Sequence, residues 1–292
     1  MLSYIKLVYY LFRPRTVFII KRSVALGDDL LMSLVLPYIR KKYAGYKIII
    51  EANWVELFKN NPYVDWVTNK HLKTTKRHIK PRYFIDTSAS QSIYEQFMQS
   101  VGSSGKARPE LYFSDDEIEY VRRRFDFPYI SICPLGKQKF SANRKEWGVE
   151  NFQKLRNLFP DYEFVQIGLE SDDLLENVHD ARGLPVRQSA AVIRNSLFFI
   201  GLEGGLMHVA AAAGRRSAII YGGFIDPDIS GYEENLNIVN RVECSPCFRS
   251  YKKLEHCETM ICMKGISPES AAGKIKDKFK SELSLVKAGT LT

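Results

Sequence analysis

The chain lacks any run of the roughly 18 apolar residues that a membrane span needs. It also lacks the pattern of a secretory leader. Residues 1–12 are apolar and aromatic, but Lys6 interrupts them and no small-residue cleavage site follows. The expectation is a cytoplasmic protein. No G-x-G-x-x-G follows a candidate strand, which argues against an ordinary dinucleotide dehydrogenase. The segment GSSGK, residues 102–106, fails as a phosphate loop: Ser100 stands where the first glycine belongs, and Ala107 replaces the Ser or Thr. There is no internal repeat and no low-complexity tract. Cysteine is scarce, with an odd count of five in 292 residues.

Basic residues are plentiful. Lys and Arg number 42 against 33 Asp and Glu, a net charge of +9. That balance suits anionic partners, whether nucleotides, phospholipid or nucleic acid, and it also fits a merely basic soluble protein. No recognised nucleic-acid motif is present and the aromatics are scattered, so nucleic acid is not expected as a partner. With 45% hydrophobic residues the chain is globular and long enough for two domains.

The pattern reads as strand and helix in alternation. A strand at 16–21 is followed by a loop with Gly27, then a helix over 30–43, which Pro37 would kink, and a strand at 47–51. Helix at 54–59, strands at 64–67 and 83–86, and helix at 93–101 follow, with the polar stretch 70–82 as an exposed loop. Ser114 and Glu117 form a capping box ahead of a helix to Arg124. The pattern then restarts: strand at 129–133, basic loop at 134–144, helix at 149–158, strand at 164–167, helix at 189–195. A last strand lies at 236–239 and a C-terminal helix at 268–283. The expected domains are 1–127, 128–266 and a C-terminal helix and tail, 267–292.

The most informative stretch is 197–223, LFFIGLEGGLMHVAAAAGRRSAIIYGG. It reads as strand, glycine turn, short small-residue helix and second strand, a unit of a parallel sheet. Such a turn lies at the carboxyl end of a strand, where helix N–H groups face a ligand and glycines let an anion approach. Glu203 sits in the turn and His208 one turn into the helix.

Three motifs in order resemble glycosyltransferase family 9, the bacterial heptosyltransferases and related enzymes of lipopolysaccharide and surface-glycan assembly. They are FIIKRSVALGDDLL near the start, PLGKQKFSANRKEWGVENF opening the second half, and EGGLMHVAAA. The elements CSPC, ICM and ISPE near the C-terminus are similar to the family as well. The likeness covers nearly the whole chain. It implies a GT-B-like α/β fold of two Rossmann-like, doubly wound domains facing across a cleft: an acceptor-side N-terminal domain and a donor-binding C-terminal one. The C-terminal helix is expected to pack back on the N-terminal domain.

The resemblance implies an inverting, metal-independent transfer of heptose or a related sugar from a nucleotide-diphosphate sugar. The acceptor would be a lipopolysaccharide core or another lipid-linked or surface glycan. Asp-x-Asp spacing occurs only at Asp226-Pro227-Asp228 among the post-strand loops, without a compelling metal role. Asp28 matches the catalytic Asp and would act as base; read from residues alone it is a helix cap. Lys145 matches the phosphate-contacting basic residue, with Arg144, Lys139 and Lys137 close by; a solvated basic loop is the plain alternative. Glu203 would accept from donor-sugar or ribose hydroxyls, and Gly204, Gly205 and Leu206 would offer backbone N–H groups to the diphosphate. His208 would donate to a phosphate oxygen or sit as a satisfied core residue. Asp226, Asp228 and Tyr232 would shape the sugar pocket. Glu203 and Gly204 stand where the family has Asp and Ser or Thr, so ADP-heptose is not assumed as donor. That departure also motivates a second reading, a nucleotide-sugar-binding protein without catalysis.

Two features stand apart. Cys244, Cys247, Cys257 and Cys262, spaced x2, x9 and x4, could hold a structural zinc or stay reduced and unliganded. Residues 2–12 could form an amphipathic helix, either a foothold on the inner face of the bacterial inner membrane or a helix packed on its own domain.

Overall fold

The computed structural model describes residues 5, 9–10, 13–20, 25–70, 78–83, 91–105, 107–136, 141–250 and 256–287. The chain divides into two compact units, residues 1–85 with 91–113, and residues 86–90 with 114–292. The division falls ahead of the helix at Asp115, whereas the restart of the strand pattern suggested 127/128.

In the first unit, β1 (Thr16–Ile20) is buried along its whole length. It is followed by α1 (Leu26–Leu31), a 3-10 turn (Met32–Val35) and α2 (Leu36–Lys42). One helix was expected from 30 to 43. It starts earlier and is broken, because Pro37 has no N–H to give the carbonyl of Ser33 and is accommodated in the first turn of α2. β2 (Lys47–Glu51) comes next, then a 3-10 turn (Val55–Phe58) in place of the helix expected at 54–59, then β3 (Trp66–Thr68) and β4 (His78–Ile79). The helix α3 (Ile93–Gln99) starts at a reciprocal Ser92–Glu95 capping box.

The sheet order is β3-β2-β1-β4, all parallel. β4 corrects the sequence reading, which made 70–82 an exposed loop. It is an edge strand two residues long, paired to Phe18 and Ile19. Pairing that short on an open edge needs no apolar run, and its His78 is exposed. The strand expected at 83–86 lies outside the described residues except for Tyr83, which is irregular. The N-terminal helix is described only at Ile5, Tyr9 and Tyr10. Tyr10 stacks on Trp66 at 5.7 Å, while Ile5 and Tyr9 are exposed.

The second unit opens with α4 (Asp115–Arg124), whose capping box at Ser114 and Glu117 is as expected. Glu117 also takes two bonds from Arg187, at 2.5 and 2.7 Å. These tie α4 to a later helix of the same unit. β5 (Tyr129–Ile132), α5 (Val149–Asn157), β6 (Glu163–Gln166), β7 (His179–Asp180), α6 (Val186–Asn195) and β8 (Phe199–Leu202) follow. Then come α7 (Gly205–Ala212), β9 (Ser217–Tyr221), α8 (Pro227–Ser230), β10 (Leu236–Val239), α9 (Ile261–Lys264), α10 (Pro268–Lys278) and α11 (Lys280–Lys287). The parallel sheet runs β10-β9-β8-β5-β6-β7. Numbered from β5, this is the Rossmann order 3-2-1-4-5-6, with its switch point between β5 and β8.

The C-terminal helix was expected to pack on the N-terminal domain. The structure packs it into the core of the second unit. Ala271, Ile275, Phe279 and Leu283 recur every four residues, so they form one stripe, and that stripe joins Phe159, Tyr162 and Phe198. Phe279 stacks on Phe198 with ring centroids 4.1 Å apart. Full burial of such a ring contributes about 1.5–3 kcal/mol.

Candidate active site

In open parallel sheets, ligands bind beyond the carboxyl ends of the strands at the switch point. In the second unit the two flanking strands are β5 and β8. The loop after β5 carries Lys145, and the turn after β8 carries Glu203 and Gly204. The structure brings these together: the Lys145 ammonium sits directly on Glu203 Oε2. Glu203 is 7% exposed and Lys145 22%. Lys145 Nζ also lies 5.2 Å from the centre of the Phe224 ring.

The placement of Lys145 follows from the residues around it. Two positions on, Trp147 plugs the core, edge-on to Phe152, and donates its Nε1–H to the Ile266 carbonyl at 2.9 Å. Two positions back, Asn143 clamps the backbone of Cys257 from both sides, at 3.0 and 2.8 Å. Gly222 completes the fit, since a Cβ there would run into the Arg144 carbonyl and Met263. Lys137 and Lys139 lie outside the described residues.

Gly204 is the N-cap of α7 with φ 154° and ψ −160°, a backbone region essentially reserved for glycine. It turns the chain so that the first N–H groups of the helix, from Gly205 and Leu206 onward, end the strand–helix connection. First-turn N–H groups have no acceptor inside a helix and favour an anion. His208 is buried in the same helix, and its Nδ1 is 2.9 Å from the Tyr232 hydroxyl. Tyr232 follows α8, whose N-cap is Asp226; Arg241 bonds Asp226 at 2.8 and 2.9 Å. Those bonds hold the Asp226 carboxyl below its ordinary range. Below the turn, burial and then the Glu203 carboxylate push the Tyr221 hydroxyl well above its usual range.

In the first unit, the switch point of the order 3-2-1-4 lies between β1 and β4. Asp28 follows β1 and Tyr83 follows β4, and the Tyr83 hydroxyl donates to Asp28 Oδ1 at 2.5 Å. Neither Asp28 nor Asp29 caps α1. The N-cap is Ala25, without a side-chain bond, so both carboxylates fall inside the first turn. Asp29 is fully buried, and its Oδ2 accepts the Asn53 and Trp54 N–H groups at 2.7 and 2.9 Å. The neighbouring acids thus diverge: Asp29 braces the backbone after β2, and Asp28 meets a tyrosine. Tyr83 escaped the sequence reading, as did Phe224.

Of the four C-terminal cysteines, Cys244 is exposed and Cys262 buried. Cys257 and Cys262 both lie within electrostatic reach of Cys247. Among the described residues, no three His, Cys, Asp or Glu side chains are placed to hold a metal ion.

The two parallel α/β units have the fold of GT-B-type glycosyltransferases. Residues 181–258 match the model of glycosyltransferase family 9 (heptosyltransferase). Three solved structures are similar over most of the chain. The iron-containing dodecameric glycosyltransferase TibC from enterotoxigenic E. coli H10407 is 18% identical, with a TM-score of 0.73 over 92% of this chain and 77% of its own. The ADP-heptose lipopolysaccharide heptosyltransferase II of E. coli is 17% identical, with a TM-score of 0.68 over 91% and 99%. The E. coli heptosyltransferase WaaC, solved with ADP-2-deoxy-2-fluoro heptose, is 14% identical, with a TM-score of 0.58 over 90% and 99%. No curated protein matches the chain. The resemblance to family 9 is thereby shown by the family model across the glycine turn, and the fold is shared across most of the chain.

Proposed function

We propose that the protein is an inverting, metal-independent glycosyltransferase. It moves heptose or a related sugar from a nucleotide-diphosphate sugar to a lipopolysaccharide core or other surface-glycan acceptor. The observation that carries this reading is the meeting of Lys145 with the Glu203–Gly204 turn at the β5/β8 switch point, the turn lying inside the family-matched segment. The ammonium and the α7 N–H groups supply the positive field that a departing diphosphate needs. Gly204, Gly205 and Leu206 offer the N–H groups, and His208 a further donor. Asp28 takes the proton of the attacking acceptor hydroxyl. ADP-heptose donors in the names of similar structures support a nucleotide-sugar donor here. Among the described residues no helix is long and apolar enough to cross a membrane. A peripheral place at the inner face of the inner membrane is supported by the net charge of +9 and by exposed Ile5 and Tyr9.

A thermal-shift series with nucleotide-diphosphate sugars, followed by a transfer assay with the donor that binds, tests the reading. A binding donor raises the melting temperature by mass action. If no such donor binds, the proposal fails. The second reading, binding without catalysis, rests on Glu203 standing where the family has Asp; it requires that a bound donor is neither transferred nor hydrolysed. A structural zinc at Cys244, Cys247, Cys257 and Cys262 is a separate proposal resting on their spacing, and metal analysis of protein purified without chelator decides it.

A further inference from the structure

The Lys145–Glu203 pair is placed so that the expected phosphate-binding cation is already neutralised. Glu203 Oε2 is buried and takes no hydrogen bond elsewhere among the described residues, so its electrostatic partner is Lys145. The carboxylate also immediately precedes Gly204, the cap of the helix whose first N–H groups favour an anion. A diphosphate arriving there draws Lys145 away from Glu203. It thereby strands a buried carboxylate beside its own negative charge, which is costly. The same ammonium position lies against the Phe224 ring, and Phe224 is itself fixed by edge-on contact with Phe248 at 5.3 Å and by the Phe248 N–H on its carbonyl at 3.1 Å.

We infer that Glu203 is an internal competitor of the nucleoside diphosphate: it re-pairs with Lys145 and so speeds release of that product. The inference rests on the functional reading above, and it gives Glu203 a role different from gripping a sugar hydroxyl. Its sign is distinctive. A residue that grips the ligand weakens binding when removed, whereas a competitor strengthens it.

The test is calorimetric titration of the full chain with ADP and with UDP, for wild type, Glu203→Gln, Lys145→Ala and the double variant. Whichever nucleoside diphosphate the wild type binds should bind Glu203→Gln about tenfold tighter, equivalent to ~1.4 kcal/mol. The free nucleoside should bind both equally. On the Lys145→Ala background the gain from Glu203→Gln should shrink below about threefold, because there is no longer a cation to compete for. Glu203→Asp, which keeps the charge one methylene further from the ammonium, should fall between wild type and Glu203→Gln, and it serves as the check should the amide variant misfold. With a donor sugar and acceptor, Glu203→Gln should show a first-turnover burst and a slower steady state. Unchanged or weaker diphosphate binding by Glu203→Gln overturns the inference, as does a gain that persists undiminished without Lys145. Failure of the wild type to bind any nucleoside diphosphate overturns the functional reading itself, a result distinct from either.

Discussion

The Tyr83 hydroxyl donates to Asp28 Oδ1 at 2.5 Å, joining residues 55 positions apart that follow neighbouring strands, β4 and β1. A carboxylate that is to take a proton must be held in one orientation, and a hydroxyl that follows the next strand does that. Tyr83→Phe should lower kcat roughly tenfold with the donor KM nearly unchanged, since the donor contacts proposed above lie in the other unit. Asp28→Asn should nearly abolish transfer while nucleoside-diphosphate binding stays intact. Adding Tyr83→Phe to Asp28→Asn should cost little more, because residues acting as one device are not additive. Near wild-type turnover by Asp28→Asn would remove Asp28 as the base.

Asp29 differs sharply from its neighbour. Its Oδ2 satisfies two backbone N–H groups just beyond β2, and the side chain is fully buried. Asp29→Ala leaves both donors without that acceptor, at a cost of about 1–3 kcal/mol for each unsatisfied group. Urea denaturation should show a clear drop in midpoint. Asp28→Asn, measured side by side, should shift the midpoint far less.

Much of this architecture is legible because it is written in apolar runs. TVFII, KIIIE, LFFIGL and SAIIY, short and rich in β-branched or aromatic residues, read as buried parallel strands. The β4 and β7 strands were not legible, since two-residue edge pairings leave no periodic signature. In the site, the Lys145-x-Trp147 spacing carried a mechanism, with the indole anchoring the loop that presents the ammonium. The glycine turn was equally plain. What stayed hidden were relationships across long separations: Tyr83 with Asp28, Phe224 under Lys145, and Tyr232 on His208. Leucine spacing starts the helix at Leu30 and so makes Asp28 a cap. The structure starts it at Leu26, a shift that changes the role of both acids.

The first unit also carries an acid-sensitive clasp. Asp65 accepts from Arg40, Lys47 and the Ile48 N–H at 2.7–2.9 Å. Burial pushes its carboxyl up, but the bonds from Lys47 and Arg40 outweigh that and hold it below the ordinary 3.8. A depressed folded-state value means the stabilisation is complete above the unfolded value and is lost as pH falls through the folded one. Wild type should therefore exceed Asp65→Asn in urea midpoint at pH 6, and the gap should narrow below about pH 4. A gap that is constant down to pH 2 would show that the clasp is not ionic.

Two glycines of the site should fail for opposite reasons. At Gly204 a Cβ would meet nothing within 4 Å, yet φ is 154°. Gly204→Ala is therefore a purely conformational insult, of the order of 1–3 kcal/mol. At Gly222 the φ is unexceptional but the space is filled by the Arg144 carbonyl and Met263. Gly222→Ala must push back the loop that presents Lys145. Both variants should melt at lower temperature. Their ligand responses should differ: Gly204→Ala re-aims the α7 N–H groups while leaving the Lys145–Glu203 contact in place, and Gly222→Ala displaces Lys145 itself. Combining each with Lys145→Ala separates them. Nucleoside-diphosphate binding should fall further on adding Gly204→Ala to Lys145→Ala, whereas Gly222→Ala should add almost nothing, because the side chain it misplaces is already gone.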